Sequence, residues 1–407
     1  MRDTLKKTLS ANPMLWFLAL GLFLLPISNS IGQVPLYIVA VHWLVGALRG
    51  HRSRPDKYSL WFVAGFALLI LLSIPIAAFV ANTDVSRVFD KINRLLLLPL
   101  VFAIPALCGA GEKRLENLSV LMVAPVLGIV LLAGYDFVRV PLEIRAGTPL
   151  FHTGNMSSPQ LYMVAFFLGL ALITDRKFPR SQWLWFCLAL ALAGILLHHK
   201  RGVWLATTMA LLGWTFWSRQ WKTLFLMGVI GLLAFSLPDV RSRLLELREV
   251  IQPTHGGRMV LWTEVVPRIL PEYPFGMGYN ASRYEDFRAV LPREIHLEEG
   301  LRHLHNNFLQ NRLELGWQGV VWWCAWMLVV LWKCFRGHRG QYRGQSRVLA
   351  AGVVFALVAL LLNGMVEYNF GTSETFMLYL GLFGMLDVFA PKGSPSANAI
   401  LPKQETP

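Results

Sequence analysis

Apolar stretches long enough to cross a lipid bilayer recur along nearly the whole chain, and that recurrence constrains the fold more than any other feature. A bilayer-spanning helix needs about 20 mostly apolar residues. Roughly twelve segments approach that length: Met14–Ser30, Val34–Leu48, Tyr58–Ala81, Leu95–Ala110, Leu118–Val138, Leu161–Thr174, Trp183–Leu197, Val203–Trp217, Thr223–Leu237, Trp317–Trp332, Val348–Val366 and Thr375–Ala390. Composition agrees: 55% of the 407 residues are hydrophobic and only 15% are charged, where roughly 25% charged is usual in soluble domains. So few charges could not clothe a soluble body of this size. A secreted domain, a disordered chain and a cytosolic α/β enzyme are excluded, and an all-α integral membrane protein is expected. The first segment follows Lys6 and Lys7 as a signal-peptide core would. No small-residue cleavage site closes it and another span follows at once, so it reads as retained.

The net charge is +14. In a soluble protein that would suggest nucleic acid; in a membrane protein it reflects cytoplasmic loops, which collect Lys and Arg, and no nucleic-acid partner is expected. With the N-terminus inside, most Lys and Arg fall in inside segments. The short outside segments hold only Arg87, Lys91, Arg94, Arg139, Arg145, Lys200 and Arg201. Both termini are therefore expected in the cytoplasm. Cys108, Cys187, Cys324 and Cys334 lie in or beside apolar runs with no zinc-like spacing, which argues against a disulfide framework. The expected organisation is spans 1–9 over residues 1–237, a large, mostly helical outer loop at 238–316, spans 10–12 over 317–390 and a cytoplasmic tail at 391–407. Within the loop, Val240–Ile251 reads as an amphipathic helix. A helical stretch from Met259 is punctuated by Pro271, Pro274, Gly276 and Gly278, and a third helical piece is expected around Glu298–Leu315.

Four outer features carry possible chemistry. His198-His199-Lys200-Arg201 puts adjacent cations where the positive-inside bias disfavours them; lipid headgroup contact or a charged helix end explains them as well as a phosphate clamp does. Gly256-Gly257-Arg258 places an arginine in a first helical turn, where anions are favoured; a solvated loop arginine is the bland alternative. His303-Leu304-His305-Asn306-Asn307 offers a general base near neutral pH. Read as helix, it puts His305, Leu309 and Arg312 on one face. Its H-x-H pair lacks a clear third ligand for a metal. Phe151-His152-Thr153-Gly154-Asn155 suits a loop reaching into a site, or an ordinary turn.

Together, three stretches resemble the O-antigen ligase and polymerase superfamily of bacterial inner-membrane glycosyltransferases. Lys200-Arg201-Gly202-Val203-Trp204-Leu205-Ala206 is similar to an S/K-R-G-x-W-L-A segment, with Lys200 where many members have Ser. Gly257-Arg258-Met259-Val260-Leu261-Trp262, followed by Pro274-Phe275-Gly276-Met277-Gly278 after Tyr273, resembles G-R-x-x-x-W … P-x-x-G-x-G. His305-Asn306-Asn307-Phe308-Leu309-Gln310, with Glu314-Leu315-Gly316 and Gly319, resembles H-N-x-x-L-Q … E-x-G-x-x-G. The resemblance implies a multi-pass protein of a Gram-negative inner membrane with its active site facing the periplasm. It implies transfer of a glycan from undecaprenyl diphosphate to a sugar hydroxyl of lipid A–core, with inversion and without a metal or other cofactor. The partners implied are the undecaprenyl-diphosphate-linked O-antigen, the lipid A–core acceptor and membrane lipids. On the resemblance, His305 is the base and Arg201 and Arg258 stabilise the departing diphosphate. Lys200, His303, Asn306, His199, Arg145 and Asn155 are candidates for contacting the diphosphate or the acceptor, and Glu367 is a weaker supporting candidate. A polymerase, using a second undecaprenyl-linked repeat as acceptor, is the nearest alternative; the single long outer loop late in the chain favours the ligase. A transporter or flippase is the alternative from another class. It is disfavoured because Asp136, His198, Glu367 and Asp387 lie near span ends and the two halves show no symmetry.

Overall fold

The computed structural model describes residues 12–50, 56–111, 113–145, 158–175, 182–198, 200–219, 258–284, 286–292, 303–336 and 344–389, with a few single positions between them. Among the described residues every regular element is a helix. The main ones are α1 (Pro13–Leu24), α2 (Asn29–Leu48), α3 (Lys57–Pro75), α4 (Leu100–Cys108), α5 (Lys113–Arg145), α6 (Ser158–Thr174), α7 (Gln182–Leu197), α8 (Arg201–Ser218), α9 (Asn307–Arg336), α10 (Gln345–Asn363) and α11 (Ser373–Asp387). Each overlaps one of the apolar segments read from the sequence. The expected span Thr223–Leu237 and the expected helix Val240–Ile251 lie outside the described residues, as does the tail beyond residue 389.

Among the described residues, six helical stretches are long and apolar enough to cross a membrane: Ser30–Leu48, Lys57–Val80, Ser86–Cys108, Lys113–Val138, Asn307–Phe335 and Gln345–Asn363. The stretch at Lys57 continues past Pro75, whose missing N–H breaks the α ladder, into a π turn at Ile76–Val80. Bulky apolar side chains stand exposed on these helices, Trp61 at 76% and Phe79 at 87%. A soluble protein does not leave such surface bare, whereas lipid covers it without penalty.

The bundle is built around α6, which is buried along nearly its whole length, so its apolar run shows no amphipathic stripe. Helices α5, α7 and α10 pack on it; α8 packs on α10, and α11 on α4 and α10. Helix α9 lies against α3 through stacked rings, Trp322 with Phe62 at 5.1 Å and with Phe66 at 4.6 Å between centroids.

A second, smaller core sits at one end of the bundle. Val260, Leu261, Val265, Ile269, Met277, Phe287, Leu304 and Leu313 are all buried together there. They come from the polar segment that interrupts the spans, which thus carries its own hydrophobic support. The helix expected around Glu298–Leu315 begins only at Asn307. The Asn306 side chain explains the late start: its Oδ1 accepts from the N–H groups of Phe308 and Leu309, an N-cap that leaves residue 306 outside the helix. His305 therefore precedes the helix and does not share a helical face with Leu309 and Arg312. Helix α9 is interrupted again at Gly316, with φ 73°.

Candidate active site

The site lies at the end of the bundle that carries the smaller core, and the 363–367 segment after α10 organises it. Three chain stretches distant in sequence converge on these residues. From the first, Gly202 in the opening turn of α8 approaches so closely that a Cβ there would lie 2.8 Å from Val366 Cγ2. That explains a glycine beside Arg201, the first residue of α8, with Lys200 at its N-cap position. Both cations are half-buried. Trp204 braces the same turn by donating from Nε1 to the Ile195 carbonyl at 2.7 Å.

The second stretch starts at Arg258, which opens a helical turn continuing as a π turn at Leu261–Val265 and ending in a 3-10 turn at Leu270–Glu272. π turns within helices frequently mark functional sites. Arg258 donates from Nη1 to the Val366 carbonyl at 2.8 Å and from Nη2 to Glu367 Oε2 at 2.6 Å. Its side chain stays 36% exposed, so the rest of the guanidinium edge can meet a ligand. Trp262, four residues on, donates from Nε1 to the Leu304 carbonyl at 2.8 Å and so ties this stretch to the third.

That third stretch carries the histidines. His305 Nδ1 lies 2.8 Å from Glu367 Oε1, and His303 Nε2 lies 3.3 Å from the same oxygen. The two imidazole rings are 4.1 Å apart between centroids. His305 sits at φ +48°, in the left-handed region that non-glycine residues rarely occupy. Such conformations cluster where function requires a particular side-chain direction. Five hydrogen bonds hold the turn: the one of Trp262 and the two of Asn306 already given, Leu304 N to Gln310 Oε1 at 2.8 Å, and Asn307 N to the Gly364 carbonyl at 2.7 Å. Asn306 also donates from Nδ2 to the Met365 carbonyl at 2.7 Å.

Electrostatics assign the roles. Burial alone would raise the Glu367 carboxyl, but the hydrogen bonds of His303 and His305 and the neighbouring positive charge of Arg258 hold it well below the usual range. It is a carboxylate. Burial dominates at His305 and pushes its imidazole below the ordinary value, although the Glu367 hydrogen bond pulls the other way. Facing a carboxylate, Nδ1 carries the ring proton, and Nε2 is left as a proton acceptor. A neutral imidazole oriented in this way has the chemistry a general base requires.

His303 Nε2, His305 Nδ1 and a Glu367 oxygen lie within 4.8 Å of one another and are a possible metal-ligand set. The set fits a hydrogen-bonded cluster better, since Arg258 places its own positive charge 2.6 Å from the same carboxylate.

The predicted residues thus fall into three groups. His305, His303, Asn306 and Arg258 meet at Glu367 and the carbonyls before it; Lys200 and Arg201 open the helix whose Gly202 abuts the same segment. His199, Asn155 and the Arg145 side chain lie outside the described residues, as do Gly256 and Gly257. Arg312 turns away, donating to the Tyr273 and Leu270 carbonyls. Glu367, a minor candidate in the sequence, is the centre. Its signal was a carboxylate at the end of an apolar span. The Pro274–Gly278 stretch also acquires a purpose. Met277 N and Gly278 N donate to the carbonyls of Leu313 and Glu314, and a Cβ on Gly276, at φ +92°, would lie 2.5 Å from the Glu314 carbonyl oxygen.

This combination defines a multi-pass helical membrane protein with a buried His–Glu–Arg cluster at one end of its bundle. Residues 186–324 match the family model described as O-antigen ligase, and all three motif stretches lie inside that match, which bears out the resemblance read from them. No curated protein matches the chain.

Proposed function

We propose that this protein is an O-antigen ligase that transfers a glycan from undecaprenyl diphosphate to a sugar hydroxyl of lipid A–core at the periplasmic face of a Gram-negative inner membrane. The observation that carries the reading is the buried His305–Glu367 pair with Arg258 on the second carboxylate oxygen. It supplies a base and an anion-binding group within one side chain's reach of each other. In the reaction, His305 Nε2 takes the proton of the acceptor hydroxyl while the hydroxyl oxygen bonds to the anomeric carbon. The bond from that carbon to the diphosphate oxygen breaks with its electron pair leaving on the lipid diphosphate, so the anomeric configuration inverts. Glu367 steadies the imidazolium that forms, as the carboxylate of a base–orienter pair does. Arg201 and Arg258 stabilise the charge that grows on the diphosphate, the role a cation otherwise fills, which makes the reaction metal-independent. Lys200, His303 and Asn306 line the approach to these groups, and His199, Arg145 and Asn155 are further candidates for contacting the diphosphate or the acceptor.

The test is a reaction of purified protein in detergent with undecaprenyl-diphosphate glycan and lipid A–core, without nucleotide and with chelator present. Glycan on lipid A–core is the expected product. Longer glycan still on undecaprenyl diphosphate would make the protein a polymerase, and donor binding without product would favour transport. His305→Ala should abolish transfer and leave donor binding largely intact, whereas Arg201→Ala and Arg258→Ala should weaken donor binding as well. Near-normal turnover by His305→Ala would remove the base assignment.

A further inference from the structure

Below the histidine turn lies a carboxylate that the mechanism does not use. Glu314, in α9, is 2% exposed. Its Oε1 accepts from Ser282 Oγ and from Gln310 Nε2, each at 2.7 Å. Gln310 Nε2 also donates to Ser282 Oγ, which closes a triangle of three buried polar groups. The other end of the Gln310 amide, Oε1, accepts from Leu304 N at 2.8 Å, the residue between the two histidines. The second oxygen of Glu314 accepts from the Tyr368 hydroxyl at 3.3 Å, and Tyr368 follows Glu367 directly. One buried side chain is therefore connected to both halves of the His305–Glu367 pair, through Gln310 to one and through Tyr368 to the other.

Resting on the general-base reading of His305, we propose that Glu314 is a positioning residue: it holds the histidine turn and the Glu367 segment at one fixed separation and thereby sets turnover without touching either substrate. The energetic logic is that of an interior polar network. A buried carboxylate with all its hydrogen bonds made rigidifies its surroundings, whereas a partly satisfied one is costly. The pair it holds is sensitive to displacement, since a shift of about 1 Å in a catalytic group can cost on the order of 100-fold in rate. Arg258 makes its own hydrogen bonds to Val366 and Glu367, and Gly202, beside Arg201, abuts Val366, so neither cation bonds to Glu314 and donor binding should survive its loss.

Four variants of the full-length protein test this, with hydrogen exchange read by mass spectrometry beside kcat and the KM for the lipid-linked donor. Glu314→Leu should speed exchange in both segments 303–306 and 365–368. Gln310→Leu should loosen only the first and Tyr368→Phe only the second. Glu314→Leu and Gln310→Leu should lose about 10- to 100-fold in kcat with donor KM unchanged. Glu314→Gln keeps a carbonyl for Ser282 and Gln310 and an amide for Tyr368, so it should stay within about threefold of the parent. Should Glu314→Leu fail to fold, Gln310→Leu and Tyr368→Phe decide the matter through their opposite exchange patterns. Unchanged exchange in either segment, full kcat in the folded Leu variants, or a KM rising in step with the loss would overturn the proposal. The exchange pattern stands apart from activity, so inactivity of the parent protein would remove the ligase reading and leave the positioning claim to be judged on exchange alone.

Discussion

At the scale of single residues, His305 illustrates how environment sets a titration. Its ordinary value is 6.5, and burial lowers it. The protonated ring cannot act as base, so kcat/KM should fall as pH drops through the lowered value. The acid limb of the profile is therefore expected at lower pH than a solvent-exposed histidine would give. An acid limb above pH 6.5 would contradict the assignment. Glu367→Gln separates the two jobs of the carboxylate. It removes the charge that raises the His305 value and leaves at most a neutral hydrogen bond, so the acid limb should move further down. It also leaves the imidazolium unsupported, so kcat should fall by about 100-fold or more. A rate loss with the limb moving upward would mean that the substitution had opened the pocket to water instead. His305 stood out in the sequence as a candidate base only through the H-N-x-x-L-Q resemblance, since a lone histidine is more often structural. Its partner was not legible, since Glu367 lies 62 positions away and beyond two further spans.

At the scale of elements, the site depends on helix starts and turns more than on the helices themselves. The start of α8 presents Arg201, the Arg258 turn presents a guanidinium, and the turn before α9 presents two histidines. Trp262 couples the last two through one hydrogen bond to the Leu304 carbonyl, and that carbonyl belongs to a fully buried residue. Trp262→Phe keeps the ring and removes the donor. A buried carbonyl left without its partner costs about 1–3 kcal/mol. The variant should unfold at lower temperature and lose turnover, with Arg258-dependent donor binding largely preserved. Unaltered kcat in Trp262→Phe would show that this bond does not help to place His305. The third motif reads differently once its start is known. A helical face shared by His305 and Arg312 follows only if the helix already includes residue 305, and the Asn306 cap excludes it. Arg94 makes the same point from the other side. In the sequence it is one of a few cations in short outer segments; in the fold it is buried, donating to the Tyr279 hydroxyl at 2.8 Å and to the Gly371 carbonyl.

At the scale of the whole molecule, six of the twelve expected spans are borne out by helices long enough to cross, because lipid imposes one requirement on them, length in apolar residues, whereas the pairings among helices depend on a few polar groups too sparse to show in hydropathy. The clearest pairing joins α3, α9 and α11 at the end of the bundle opposite the candidate site. Lys333 Nζ lies 3.3 Å from Asp56 Oδ2 and 3.2 Å from Ser59 Oγ, and also pairs with Asp387. Asp56 at the same time caps α3, its Oδ2 accepting from the N–H groups of Tyr58 and Ser59. The Lys333 and Asp387 side chains are 9% and 3% exposed, so this is a buried ion pair and not a surface one. Removing one partner from such a pair costs about 3–5 kcal/mol because the other is left charged without compensation, while replacing both by apolar groups of similar size can be neutral. Lys333→Met should therefore lower the unfolding temperature of the detergent-solubilised protein markedly, and Lys333→Met with Asp387→Leu should recover much of it. Turnover per folded molecule should match the parent in both, since the cluster sits at the far end of α9 from His305. A double variant less stable than the single one would mean that the cluster holds its three helices through the hydrogen bonds to Ser59 and Asp56 more than through the pair itself. Turnover falling in the folded double variant would mean that the two ends of α9 are mechanically coupled across the break at Gly316.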